Sequence, residues 1–292
     1  MTSGPGDATA WGADRAAQLR ADPRTTAQAS SRRAEILALA NQKGGVGKTT
    51  TTINLGAALA ELGDRVLLVD MDPQGSLGVG LGVEPHALDA TIYNLLMQDG
   101  AAVDDAIVTT AVEGLDLLPA NIDLAAAELM LVQEVAREHT LKRVLERVRD
   151  RYDWILVDCP PSLGLLTING LTAADGVIVP LECEYFALRG MSLLMKTLER
   201  VRGRLNPELR LEGVIATMYD QRTLHGREVL ERVREAFGDV VYQTTVSKTI
   251  RFAEAPVAGE PILSYAPTSK GAEAYRALAR EVRARDPRTS TA

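Results

Sequence analysis

Short apolar runs alternate with longer stretches of helical spacing along most of the chain. Ile36 to Ala40, Val66 to Val69, Leu115 to Leu118, Trp154 to Val157, Val177 to Val179 and Leu211 to Ala216 are dominated by apolar residues and too short for helices, so they predict buried strands. Val240 to Gln243 predicts one more short strand. Apolar residues recur every three or four positions in Thr91 to Met97, Ile122 to Val132, Leu141 to Val148, Leu163 to Ala173, Leu188 to Val201, Glu228 to Phe237 and Gly271 to Val282, which predicts helices. The alternation predicts an α/β fold, a doubly wound, mostly parallel sheet flanked by helices.

No linker or internal repeat interrupts residues 34–285, so that span is expected to form a single domain. Residues 1–33 are rich in Ala, Gly, Ser, Thr and Arg, and read as a disordered N-terminal extension with room for a short helix from Ala13 to Ala21. Arg15, Arg20, Arg24, Arg32 and Arg33 outnumber Asp7, Asp14 and Asp22 there, so the segment is either a solvated tail or a docking arm for DNA or protein. Residues 286–292 read as a polar C-terminal tail.

The stretch from Ile36 to Gly75 carries the chemistry. It reads as strand, glycine-rich turn, helix and strand, with Gly63 placed to end the helix. The turn is Lys43-Gly44-Gly45-Val46-Gly47-Lys48-Thr49-Thr50. Glycines let backbone N–H groups close on an anion, and the helix start adds unpaired N–H groups and the positive end of its dipole. Lys48 is placed to reach the β- and γ-phosphates of a nucleotide, and the Thr49 hydroxyl to ligate Mg²⁺. The turn departs from the G-x-x-x-x-G-K-[ST] pattern at Gln42 and adds a second lysine, Lys43.

Carboxylates stand at two predicted strand ends. Asp158 closes the run from Trp154, on the sheet edge where doubly wound folds bind ligands, and suits a Walker B aspartate holding Mg²⁺. Its alternative role is to cap the Cys159-Pro160-Pro161-Ser162 turn. Asp70 and Asp72 share a face if their strand continues; alternatively either caps the Pro73-Gln74-Gly75 turn.

These words resemble a known family. K-G-G-V-G-K-T-T is similar to the deviant Walker A motif of the ParA/MinD ATPases. A-N-Q-K-G-G-V-G-K-T-T-T, L-L-V-D-M-D-P-Q-G and L-V-D-C-P-P resemble the Soj-like ParA partition proteins, over about Ala34 to Val282. The resemblance implies a P-loop ATPase using ATP and Mg²⁺, with residues Lys43, Gly44, Gly45, Val46, Gly47, Lys48, Thr49 and Thr50 on the nucleotide. It implies that Lys43 reaches a partner's phosphates in a nucleotide-sandwiched homodimer, that Asp72 orients the attacking water, and that Asp70 supports the metal's water shell beside Thr49 and Asp158. It places the adenine near Thr217, Met218 and Tyr219, closed by Pro256 and Val257. It assigns Arg222, Lys248 and Arg251 to non-specific DNA contact, and implies a ParB-like partner that stimulates hydrolysis. A cytoplasmic, nucleoid-associated protein driving chromosome or plasmid segregation follows as the expectation.

Composition narrows the alternatives. A net charge of −7 argues against a chain basic all over, but leaves a local DNA-binding patch open. Cys159 and Cys183 are far apart in apolar runs, so neither a disulfide framework nor an iron–sulfur cluster is expected. His86, His139 and His225 stand alone. No apolar run reaches membrane-spanning length, and no signal peptide is evident. A MinD-like membrane-cycling ATPase is the other reading. The final helix offers only Ala274, Tyr275, Leu278 and Val282 and ends in polar residues, a poor anchor for a bilayer.

Overall fold

Strand-length apolar runs joined by helices pack as a sheet with a helical layer on each face. The computed structural model describes residues 33–98, 100–184 and 187–288; the expected short helix from Ala13 to Ala21 lies outside them. β1 (Glu35–Leu39), α1 (Lys48–Glu61), β2 (Val66–Asp70), α2 (Ser76–Val79) and α3 (Ile92–Met97) come first. β3 (Val108–Thr109), β4 (Leu115–Leu118), α4 (Leu124–Met130), α5 (Thr140–Glu146), β5 (Trp154–Asp158) and α6 (Leu165–Ala173) follow. β6 (Gly176–Glu182), α7 (Ala187–Arg204), β7 (Arg210–Thr217), α8 (Leu224–Phe237), β8 (Val241–Thr245), α9 (Arg251–Ala258), α10 (Ile262–Tyr265) and α11 (Lys270–Ala284) complete the order.

The sheet runs β3-β4-β2-β5-β1-β6-β7-β8, and only the two-residue β3 is antiparallel. Strand order reverses beside β1: the chain fills one side through β5, then crosses to β6 on the other. Such a switch point opens a crevice at the C-terminal strand ends.

Alternate residues of each strand feed opposite cores. Ile36, Ala38, Val69 and Val157 pack under α3 to α8, while Leu37, Leu39, Leu68 and Leu156 pack under α1, α10 and α11. A Cβ on Gly56 would lie 2.6 Å from a Leu68 methyl, so α1 presses directly on β2. Leu55, Leu59 and Leu68 are fully buried in that contact; each contributes about 1.5–3 kcal/mol. Gly63, at φ 88°, ends α1 with its N–H 2.8 Å from the Ala60 carbonyl.

Some boundaries differ from the expectation. The Ile122 to Val132 helix is shorter, with a 3₁₀ turn after Met130. α8 begins at Leu224, because the Thr223 hydroxyl accepts from the Gly226 N–H. β3, α2, α9 and α10 had no periodic signal. At the far sheet edge, Arg288 pairs with Asp286, donates to the carbonyls of Arg33 and Asp153, and lies 4.8 Å from the Trp154 ring centroid.

Candidate active site

The turn between β1 and α1 wraps one end of the switch-point crevice. Gly45 and Gly47 have φ of 75° and 85°, a region that costs an L-residue about 1–2 kcal/mol. Asn41 holds the entry, donating to the Pro180 carbonyl at 2.7 Å and accepting from the Lys43 N–H at 3.0 Å. From β7, the buried Thr217 hydroxyl donates to the Val46 carbonyl at 2.8 Å. Lys48, the first residue of α1, is buried and turns its ammonium back to the Lys43 carbonyl at 3.2 Å. Burial lowers its pKa, against the opposing pull of Asp158. A desolvated ammonium at the head of a helix, behind a glycine turn, suits an anion.

Asp158 is the carboxylate under this loop. It is buried, and accepts the Thr49 hydroxyl at 2.6 Å and the Thr52 hydroxyl at 3.2 Å. Its oxygens thus bond to α1 side chains. Burial pushes its pKa up to about 7 despite those bonds. Asp70 pairs with Asp158 in register across β2 and β5. Burial and the Asp158 charge push Asp70 well above the usual carboxylate range. Two buried acids side by side, when ionised, concentrate negative charge that a divalent cation would offset.

The donor set fits Mg²⁺. Thr49 and Asp158 together form the hydroxyl–carboxylate pair that this ion takes from protein when phosphates and water supply the rest. Among the described residues no group of three or more His, Cys, Asp or Glu is arranged to hold a metal ion, and Mg²⁺ does not require one. Asp70 spends both oxygens on backbone, accepting from Asp72 N at 2.9 Å and Leu77 N at 3.2 Å. Those bonds shape the turn that carries Asp72. The strand ends at Asp70, so Asp72 lies beyond it, half-buried, with Oδ1 accepting from Gln74 N at 3.1 Å.

Lys43 stands on the rim. It is half-exposed, and its ammonium lies 2.7 Å from Glu182 Oε2 and 2.6 Å from Glu184 Oε2. Slight burial opposes its charge, but the two carboxylates hold its pKa above the usual value. Glu182 ends β6 and Glu184 lies just beyond it, 139 and 141 residues from Lys43; the sequence suggests that this Glu182-Cys183-Glu184 stretch could face a dimer partner but assigns it no chemistry. Thr52 was likewise missed; its only signal is its position one helical turn after Lys48.

The outlying candidates separate. Pro256, in α9, lines a cavity of about 180 Å³ with Thr49, Thr50 and Asn54, and Met218 is absent from that lining. Met218 is half-buried at φ 51°, a strained value for a side-chain-bearing residue at the end of β7. Arg222 is 86% exposed, but both guanidinium contacts go to Asp220 at 2.9 Å. Lys248 and Arg251 are exposed, and Arg251 opens α9. A cation at a helix N-terminus opposes the dipole, so helix stability does not account for it.

One surface was not anticipated. Ile122, Leu129, Met130, Val132 and Val135 are exposed around α4, Val135 at 90%. Glu128, on the same helix, accepts from the Leu165 N–H at 2.9 Å. That bond ties the patch to the first residue of α6.

Comparison with known proteins gives a consistent picture. The AAA domain family matches residues 34–211. The chain is 53% identical over 250 residues to the sporulation initiation inhibitor protein Soj of Bacillus subtilis, covering 86% of this chain and 98% of that protein. It is 51% identical over 253 residues to the chromosome partitioning protein ParA of Caulobacter vibrioides, covering 86% and 94%. A crystal structure named as cobyrinic acid a,c-diamide synthase from Mycobacterium smegmatis, with bound ADP and magnesium, is 46% identical, with a TM-score of 0.75 over 85% of this chain and 93% of that one.

Proposed function

The chain belongs to the Soj/ParA family of deviant Walker A P-loop ATPases, and from that premise we propose that it is an ATP-hydrolysing partition protein whose ATP-bound homodimer grips DNA without sequence preference. One observation carries the reading: Lys48 and Thr49 head α1 inside a left-handed glycine turn, with the buried Asp158 2.6 Å from the Thr49 hydroxyl. ATP and Mg²⁺ are the ligands that this arrangement suits. Backbone N–H groups of residues 44–50 and the Lys48 ammonium bind the β- and γ-phosphates. When bound at Thr49 and Asp158, Mg²⁺ neutralises charge developing on the phosphates. Asp72 orients the attacking water, and Asp70 sets the angle of its turn through the Asp72 N–H.

Lys43 supports a dimer. A single phosphate site is served by Lys48, which leaves Lys43 on the rim to reach a partner's phosphates. The apolar surface around α4 is exposed, and burying it would favour pairing. Lys248 and Arg251, with Arg222, would contact phosphates, and a dimer doubles those contacts. A ParB-like partner would trigger hydrolysis and release, and the protein would associate with the nucleoid. Tyr275, Leu278 and Val282 of α11 are buried in the core, so this helix does not offer them to a bilayer, which favours the partition reading over the membrane-cycling one.

The test is sedimentation with ADP and with a slowly hydrolysed ATP analogue, for wild type and Lys43→Ala. Wild type should double its mass with the analogue alone, and Lys43→Ala should stay largely monomeric. Equal dimer fractions in all conditions would contradict the proposal.

A further inference from the structure

The segment after Asp72 is built as a continuous run of local hydrogen bonds. Gln74 N–H and Gly75 N–H bond to Asp72 at 3.1 and 3.0 Å, and Leu77 N–H bonds to Asp70 at 3.2 Å. Gly80 N–H then bonds to Ser76 at 3.0 Å, Gly82 N–H to Val79 at 3.1 Å, and Val83 N–H to Gly78 at 3.0 Å. Asp72 therefore cannot shift far without carrying Gly82 with it.

Gly82 meets the end of α9 backbone to backbone. A Cβ on Gly259 would lie 2.7 Å from Gly82 Cα and 3.0 Å from Gly82 N. A Cβ on Gly82 would lie 3.2 Å from the Gly259 carbonyl oxygen. Both glycines have positive φ, 73° and 71°. Side chains are excluded twice over, by conformation and by space, so motion passes directly between the two main chains.

Beyond this contact α9 is lightly held. Ala255 is its one fully buried residue, and Val257 is 89% exposed. Its first turn is anchored by Phe252, edge-on to Tyr275 at 5.8 Å. Between α9 and α1 lies the cavity of about 180 Å³, lined by Thr49, Thr50, Ser76, Gly80, Ala255 and Pro256. A helix with few buried contacts, an adjoining void and one tight backbone contact is an element suited to two positions.

We infer that the Gly82–Gly259 contact couples the Asp72 segment to α9, so that the nucleotide state sets the position of Arg251, the residue that opens this helix. The inference rests on the function proposed above and names its regulation. Nucleotide contact at Thr49 and Thr50 acts on the cavity's near wall, and rearrangement at Asp72 acts through Gly82. Both bias the same helix.

The experiment measures affinity for a short duplex with ADP and with a slowly hydrolysed ATP analogue. Proteins are wild type, Gly259→Ala and, as a control, Gly63→Ala, whose φ is also positive but where an added methyl would meet nothing within 4 Å. Coupling factors commonly run from about 5- to 150-fold. Gly259→Ala should cut the analogue-to-ADP affinity ratio by about tenfold, with nucleotide affinity unchanged and Gly63→Ala like wild type. A folded Gly259→Ala with the wild-type ratio would overturn the inference. If Gly259→Ala does not fold, Gly82→Ala, whose added methyl would stand 3.2 Å from the Gly259 carbonyl oxygen and outside the cavity, decides in the same way. A wild-type ratio of one would instead sink the functional reading itself.

Discussion

Thr217→Val isolates the bond that holds the phosphate loop to the sheet. Thr217 is 2% exposed, and its hydroxyl donates to the Val46 carbonyl at 2.8 Å. Valine keeps the volume and the branching, so packing against Gly47 survives and the hydroxyl alone is lost. The Val46 carbonyl then stays buried with a lost partner, which costs about 1–3 kcal/mol. At roughly 2–4 °C per kcal/mol for a domain of this size, the melting temperature should fall by about 2–12 °C. The larger effect should appear in binding. If the bond keeps the Gly45–Gly47 turn in its left-handed form, the same energy is lost from ATP affinity, about 5- to 150-fold in Kd. Titration with a fluorescent ATP analogue measures it, and Thr217→Ser, which restores the hydroxyl, should recover most of the affinity. If Thr217→Val melts and binds as wild type does, the loop is rigid without β7 and the reasoning fails.

Asp72→Ala should leave ATP affinity within about threefold of wild type but slow hydrolysis by a factor on the order of 100, since only water orientation is lost; steady-state phosphate release at the wild-type rate would end that assignment. Gly213→Ala should destabilise the fold by about 1–3 kcal/mol, because its Cβ would stand 2.1 Å from the Tyr242 ring; unchanged urea unfolding would show that the ring moves aside without cost. Burial pushes the Cys183 thiol up to about 11 and Cys159 higher still. Both therefore stay protonated at pH 8, where only the thiolate reacts. An Ellman titration should find both slow in the native protein and fast in guanidinium, and rapid native reaction would contradict the burial.

The strand–loop–helix–strand unit from Ile36 to Gly75 was legible because each signal is local. Apolar strand runs, glycines at the turn and Gly63 at the helix end all act within a few residues. The sheet followed from alternation alone. Features made by distant pairs were not legible. Lys43 meets Glu182 and Glu184, and Val46 meets Thr217, across separations that no periodicity reports. Asp70 had the spacing to share a face with Asp72, but the strand stops there and its oxygens hold backbone instead. Helix α9 was hidden because its Pro256 reads as a breaker, although a short helix tolerates it by losing one N–H bond. The two residues of β3 are too few to form a pattern.

The central claim is that ATP converts this acidic chain into a DNA-binding dimer. Its most direct measurement is the affinity for two unrelated duplexes with no nucleotide, ADP, ATP and a slowly hydrolysed analogue, repeated over a range of salt. The account predicts tight binding only with ATP or the analogue, equal on both duplexes, with log affinity falling against log salt by roughly 0.9 per phosphate contacted. Arg251→Glu should weaken binding and flatten that slope while leaving the ATP-dependent dimer intact. Affinity that is the same in every nucleotide state, or that strongly favours one duplex, would contradict the account.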